Sequence, residues 1–472
     1  MHTELFLNGE WCSTSTQFAV HNPATGAVLA MVSEAGGEEL EAALSAAKTA
    51  FARWRMSLAQ EREQLLKRMA ALMLQHEHAL AQLISSESGK PMAESGAEVR
   101  YAASFFEWFA GEARRVQGDL QSSNAQGRQL LNRKVPVGVV AAVTPWNFPA
   151  AMVARKLGAA LASGCVMVLK PSELTPLTAL ALADIAQQAG VPAGVFQVLP
   201  MSKAPLFGDT VTRDSRVNKI TFTGSTDVGL TLHQQAAAQL KRMSLELGGN
   251  APAIVFADAD LALAARAIAA AKMRNAGQTC VCVNRILVHS SVAEPFVALL
   301  KAELAALRVG PASDSTSAIG PLIRPSDVAR LQRWVDEAIA QGAICQYQSQ
   351  VPDPVRYFPV TLLTNTSMQM TLCQREQFGP VATVMTFADE AEAVALADTG
   401  RGGLAAYLFS QNTALCWRVA DALDAGMIGI NDTAISDASI PFGGVGLSGL
   451  GREGSGYGLD DYLDIKHLCW RW

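Results

Sequence analysis

Between Val135 and Glu246 the chain alternates short apolar runs with helix-patterned stretches. Val137–Val143, Cys165–Leu169, Val195–Leu199, Lys219–Phe222 and Met243–Leu245 read as strands, and helices fall between them. This alternation predicts a parallel sheet with helices packed on its faces, because parallel strands need long crossovers. In such sheets ligands bind beyond the carboxyl ends of the strands. Four of these ends are polar: Thr144-Pro145-Trp146-Asn147-Phe148-Pro149, Lys170-Pro171-Ser172-Glu173, Thr223-Gly224-Ser225 and Glu246-Leu247-Gly248-Gly249-Asn250. Packing alone does not call for four such clusters. A second alternating region begins near Pro252, with strands Ala253–Phe256, Arg285–Val288 and Val381–Phe387 and a helix Glu294–Ala306. Its composition suits a second α/β domain.

The remaining segments frame these two. Leu5 to Trp11 reads as a hairpin around Asn8-Gly9. Helical stretches follow at roughly 38–56, 60–84 and 91–115, and 118–133 is a polar arm leaving the body. The tail from Pro441 to Gly458 is Gly-rich, and the chain closes on an apolar segment. Half of the 472 residues are hydrophobic and 17% are charged, which fits a compact globular protein of two or three domains. A net charge of −5 without a basic run argues against nucleic acid as partner. The longest uncharged stretch, Val135 to Ala154, carries three prolines and Asn147 and is a poor membrane span. The eight cysteines form neither a disulfide framework nor a zinc spacing, and no His-Glu-x-x-His occurs. No metal is expected, and the compartment expected is the reducing cytoplasm.

Cys280 stands out among the cysteines. Leu261 to Met273 reads as a helix and Val283 to Val288 as a strand, and Gly277 breaks the helix between them. Cys280 thus falls in an irregular connection, where a side chain can face a cleft. By itself it would be read as a small buried hydrophobe. Beside an oxyanion donor and a base it becomes a candidate nucleophile, and such a thiolate suits aldehyde oxidation. Addition to the carbonyl makes the carbon tetrahedral, so that hydride can leave. Asn147 fits the donor, with the Cys280 N–H as the second. Glu246, before Gly248-Gly249, fits the base that activates water against a thioester. Taken singly, Asn147 would be a turn residue and Glu246 a surface or capping carboxylate.

The hydride acceptor expected is a nicotinamide cofactor, although no Gly-x-Gly-x-x-Gly opens the first strand–helix turn. Gly224-Ser225 instead starts a helix, whose N-terminus favours phosphate; ordinary capping by Ser225 is the plainer reading. Lys170 and Glu173 are placed to meet the adenosine ribose. The acidic Glu173 favours NAD over NADP, unless it serves only the following helix N-terminus.

Seven segments, in order, resemble the aldehyde dehydrogenase superfamily: Pro145-Trp146-Asn147-Phe148-Pro149, Lys170-Pro171-Ser172-Glu173, Phe222-Thr223-Gly224-Ser225-Thr226, Glu246-Leu247-Gly248-Gly249, Gly277-Gln278-Thr279-Cys280, Glu376-Gln377-Phe378-Gly379-Pro380 and Pro441-Phe442-Gly443-Gly444. Within it, Cys280-Val281-Cys282 and Gly449 to Ser455 are most similar to succinate-semialdehyde dehydrogenases. One departure is Val445-Gly446-Leu447, where the family usually has a Lys after the Val. The resemblance implies an α/β fold: a Rossmann-like cofactor domain (1–117 and 137–247), an α/β catalytic domain (248–447) and a small β oligomerisation arm (118–136 and 448–472). It implies a homodimer or homotetramer. It places Glu376 on the nicotinamide ribose and Phe378 against its ring. Thr144, Pro145, Trp146, Ser172, Gly229 and Leu247 complete the expected cofactor contacts.

The substrate implied is a small aldehyde with a distal carboxylate. Arg155, about two helical turns past Asn147, and Arg274, shortly before Cys280, match with Ser436 the carboxylate clamp of succinate-semialdehyde dehydrogenases. Ordinary salt bridging or helix capping is the alternative for the two arginines. Glutarate semialdehyde, lactaldehyde or another small aldehyde is the alternative substrate. Cys282 reads as packing, or as a redox partner that blocks Cys280 by a reducible bond.

Overall fold

The computed structural model describes residues 2–398 and 400–472. Its first sheet has eight strands in the order Gly449–Leu450, Arg242–Glu246, Val217–Thr223, Val139–Val143, Val166–Lys170, Phe196–Val198, Leu5–Leu7, Glu10–Cys12. The five central strands, from Arg242–Glu246 to Phe196–Val198, are parallel. From Val139–Val143 the chain first builds in one direction to Phe196–Val198, then returns to add Val217–Thr223 on the other side. That reversal opens a crevice where Val143 and Thr223 end, which is where a doubly wound sheet takes its ligand.

The second sheet runs Ile344–Gln348, Thr361–Thr364, Val381–Phe387, Val283–His289, Ala251–Val255, Ala405–Phe409, Met427–Ile430, and is parallel except at the first pair. Each large sheet has its own buried core. A third sheet pairs Leu463–Arg471 with Arg128–Pro136 and the latter with Asp119–Ser122, all antiparallel. The N-terminal hairpin turns at Asn8 and Gly9, with φ of 50° and 84°, the left-handed pair a tight hairpin needs. Gln17–His21 and Val28–Ser33 form a separate two-stranded ribbon.

Three expectations change. The stretch 60–84 is two helices, Ala59–Gln75 and Glu77–Ser88, separated at His76. No Gly or Pro marks this break, and the apolar spacing runs on across it because both helices face one core. The helix before Cys280 spans Leu261–Met273 as expected, but the break begins at Asn275 and Ala276, with φ of 51° and 55°, and not at Gly277. Residues 448–472 do not act as one tail. Gly449–Leu450 pairs with Arg242–Glu246, Ser455–Asp460 packs on the helices Met92–Ala113 and Ala151–Ser163, and only Leu463–Arg471 joins the arm.

Candidate active site

A cavity of about 240 Å³ opens at the crevice. Asn147, Glu246 and Cys280 all line it. They reach it from three different ends: the loop after Val139–Val143, the last residue of Arg242–Glu246, and the turn before Val283–His289. Cys280 is half-buried and its thiol is free. The turn carrying it is set by three successive left-handed residues, Asn275, Ala276 and Gly277. Burial pushes the Cys280 thiol up to about 12; the Glu376 carboxylate adds to this and the Arg155 cation opposes it. The Cys280 N–H makes no hydrogen bond among the described residues. Asn147 is buried, and its Nδ2 donates to Gln278 O at 3.0 Å, which fixes the amide and leaves a second N–H.

Glu246 is buried, and neither carboxyl oxygen has a hydrogen-bond partner among the described residues. Burial first, and the nearby Glu453 carboxylate second, hold its pKa well above the usual carboxylate range. A Cβ at Gly443 would come within 3.0 Å of Glu246 Oε1, so a glycine there leaves the carboxyl room to move. Glu453 itself is tied to Lys156 by a buried ion pair and accepts from Thr221 Oγ1 at 3.2 Å. Lys156 and Glu453 escaped the sequence reading. A lysine next to Arg155 inside the largely apolar helix Ala151–Ser163 is the sequence signal for this pair.

Of the expected cofactor residues, Pro145, Trp146, Gly224, Ser225, Leu247, Glu376 and Phe378 line the same cavity. Trp146 and Phe378 meet edge-on with centroids 5.6 Å apart. Ser225 caps the helix Thr226–Ala236, accepting from Val228 N at 3.5 Å. Gly229 lets that helix approach Leu247, since a Cβ would lie 2.4 Å from its Cδ2. Burial pushes Glu376 up to about 7; its Oε1 accepts from Gly249 N at 3.4 Å. Thr144, Lys170, Ser172 and Glu173 lie outside the cavity lining. Thr144 N donates to Lys170 O at 3.3 Å, and Ser172 Oγ accepts from Leu174 N at 3.2 Å. Glu173 is flanked by Lys170 Nζ at 3.6 Å and by Arg324 Nη2 at 3.2 Å; Arg324 was not anticipated. A carboxylate end at Glu376, the aromatic rings of Trp146 and Phe378 and a helix N-terminus fit a dinucleotide.

The clamp residues do not line the cavity. Arg155 is wholly buried: its Nη2 donates to Tyr101 Oη at 2.6 Å, and its guanidinium lies over Phe442 at 4.1 Å. Its Nε and Nη1 lack hydrogen-bond partners among the described residues, the nearest anion being Glu453, 3.7 Å from Nη1. Arg274 is half-buried over the Phe148 ring, at 4.8 Å. Ser436 is half-buried in the segment after Met427–Ile430. Cys282 is buried, its thiol turned to Lys272, whose Nζ lies at 3.4 Å; a bond to Cys280 would first have to break that contact. Among the described residues no three His, Cys, Asp or Glu side chains gather as a metal would need.

A thiol, a held amide N–H and an unbonded carboxyl around one cavity suit addition to a carbonyl followed by hydrolysis. The model of the aldehyde dehydrogenase family matches residues 11–468. The chain is 46% identical to the mitochondrial succinate-semialdehyde dehydrogenase of Homo sapiens, over all of this chain and 89% of that protein. It is 44% identical to the glutarate-semialdehyde dehydrogenase of Pseudomonas putida, over 99% of this chain and 97% of that protein. A solved E. coli NADP-dependent enzyme superposes with a TM-score of 0.98 at 44% identity, covering 100% of this chain and 98% of the other. The strand ends, the cavity and these matches have one reading: the chain belongs to the aldehyde dehydrogenase family.

Proposed function

We propose that the protein oxidises a small semialdehyde to its acid, with succinate semialdehyde first and glutarate semialdehyde as the alternative. Cys280 gives up its thiol proton to solvent, and the thiolate adds to the aldehyde carbon. The resulting oxyanion accepts from Asn147 Nδ2–H and the Cys280 N–H. NAD(P), when bound, supplies the hydride acceptor. The carbon is then held as a thioester on Cys280. Glu246 takes a proton from water, which attacks the thioester; the Cys280 sulfur leaves and the free acid departs. A base in this position favours hydrolysis over acyl transfer to coenzyme A.

The observation that carries the substrate class is Arg155, a buried guanidinium with two unpartnered nitrogens. Unpaired buried donors are costly, and a substrate carboxylate that reaches the Arg155 guanidinium relieves that cost. Arg274, which lies near the Glu94 carboxyl and over the Phe148 ring, supplies a second cation. Replacing Arg274 by Ala raises KM for succinate semialdehyde by about tenfold or more and leaves an uncharged aldehyde within about twofold. Equal losses on both aldehydes reject the carboxylate clamp.

NAD is the cofactor proposed, on the strength of Glu173 at the ribose position, with NADP admitted. Lys170 and Arg324 flank Glu173 and offset its repulsion of a 2′-phosphate. Glu173→Gln shifts the ratio of kcat/KM values toward NADP; an unchanged ratio places the discrimination elsewhere. The arm sheet, with Leu463–Arg471 at its edge, supports a homodimer or homotetramer.

A further inference from the structure

Asn147 is held from behind by a charged cluster that plays no part in the chemistry above. Lys90 precedes the helix Met92–Ala113, and its side chain has 0% exposure. Its Nζ is ion-paired to Glu98 and donates to Asn147 O at 2.9 Å. The same Nζ lies 3.9 Å from the centroid of Phe148, the next residue of the loop. The other oxygen of Glu98 accepts from Ala150 N at 2.9 Å and Ala151 N at 3.2 Å, where the helix Ala151–Ser163 begins. The pair therefore grips the bend Asn147–Ala151 at both ends.

A second carboxylate on the same helix reaches the nucleophile's turn. Glu94 Oε2 accepts from Asn275 N at 2.9 Å, and Asn275 Nδ2 donates to Asn147 O at 3.2 Å. Lys90 is itself fixed in place. Gly89 before it has a φ of +77°, and a Cβ there would sit 2.5 Å from Pro321 Cγ and 2.9 Å from Pro23 Cγ.

A buried ion pair seldom stabilises a fold beyond what an apolar pair of the same size would give. What it supplies here is direction. Catalysis by an oxyanion donor depends on where the donor points before the charge develops, and small misplacements are expensive. From these contacts we propose that Lys90, through its buried pairing with Glu98, is a positioning residue that aims the Asn147 amide at the reacting oxygen. The inference rests on Asn147 being the oxyanion donor.

A double-mutant cycle tests it, on the purified full-length enzyme with succinate semialdehyde and NAD. Asn147→Ala lowers kcat by about 100- to 1,000-fold. Lys90→Met lowers kcat by about tenfold or more, with KM for NAD within about twofold. In the Asn147→Ala background, Lys90→Met costs less than about a further twofold, because the group it aims is gone. A normal Asn147→Ala loss with the same Lys90→Met factor in both backgrounds overturns the inference alone. Wild-type kcat in Asn147→Ala overturns the donor role and the inference with it. Thermal midpoints are recorded for every variant. If Lys90→Met does not fold, Glu98→Gln, which keeps an acceptor for Ala150 and Ala151, carries the same comparison.

Discussion

At rest, burial favours the protonated form at both Cys280 and Glu246. Burial raises Cys280 to about 12 and Glu246 well above the usual carboxylate range. The sign follows directly: a thiol with a raised pKa gains thiolate as pH rises and shows no plateau at the free-thiol value of about 8.5. Alkylation of the cofactor-free enzyme by iodoacetamide therefore climbs about tenfold per pH unit from about pH 7 to about 9.5. A plateau near about 8.5, in an assay that follows Cys280 by mass spectrometry, would falsify this account of the site. Glu246→Gln separates the two half-reactions. It gives a burst of about one NADH per site, then turnover about 100-fold slower or worse, because hydrolysis lacks its base. Cys280, Asn147 and Glu246 were legible in the sequence because each stands where a strand or helix gives way to a loop. Glu453 and Lys90 were not, because their meaning lies in contacts across 297 and 57 positions of chain, to Lys156 and Asn147.

The connection into Cys280 carries backbone strain. Asn275 and Ala276 hold left-handed φ without being glycine, which costs of order 1 kcal/mol or more each. Gly277 has φ +74°, and a Cβ there would lie 2.2 Å from Gly379 O. Gly277→Ala should lower stability by about 2 kcal/mol or more, read from urea unfolding, and cut kcat with it. The departure at Gly446 has a local cause of the same kind. Its φ is +58° and a Cβ would fall 2.6 Å from Arg401 O, so the lysine usual in the family meets a backbone carbonyl. Gly446→Lys is expected to destabilise by more than about 1 kcal/mol in the same measurement. The helix Leu261–Met273 was readable end to end from its apolar pattern, and the structure adds its cap at Asp260. The break at His76 was invisible, since nothing in the local sequence forbids a continuous helix there.

Across the whole molecule, alternation of strand and helix was enough to foretell two α/β layers, because a parallel sheet admits few other arrangements. The path of residues 448–462 was not foreseeable: a Gly-rich tail carries no pattern to say that it doubles back on the first sheet. The arm remains the part that looks outward. Ile465, Trp470 and Trp472 are 75%, 63% and 72% exposed on or just beyond the edge strand. Ile465→Glu combined with Trp470→Glu is expected to shift the particle to a smaller species in analytical ultracentrifugation, with an unchanged fold by circular dichroism. An unaltered sedimentation coefficient would rule this edge out as the contact between copies. One consequence of Gly277 reaches further than its own turn. Because it seats directly on Gly379, with no room for a Cβ between them, a shift of the sulfur-bearing loop presses on the strip with Glu376 and Phe378. The Glu246 carboxyl, unbonded and facing Gly443, has the space that this packed seam lacks.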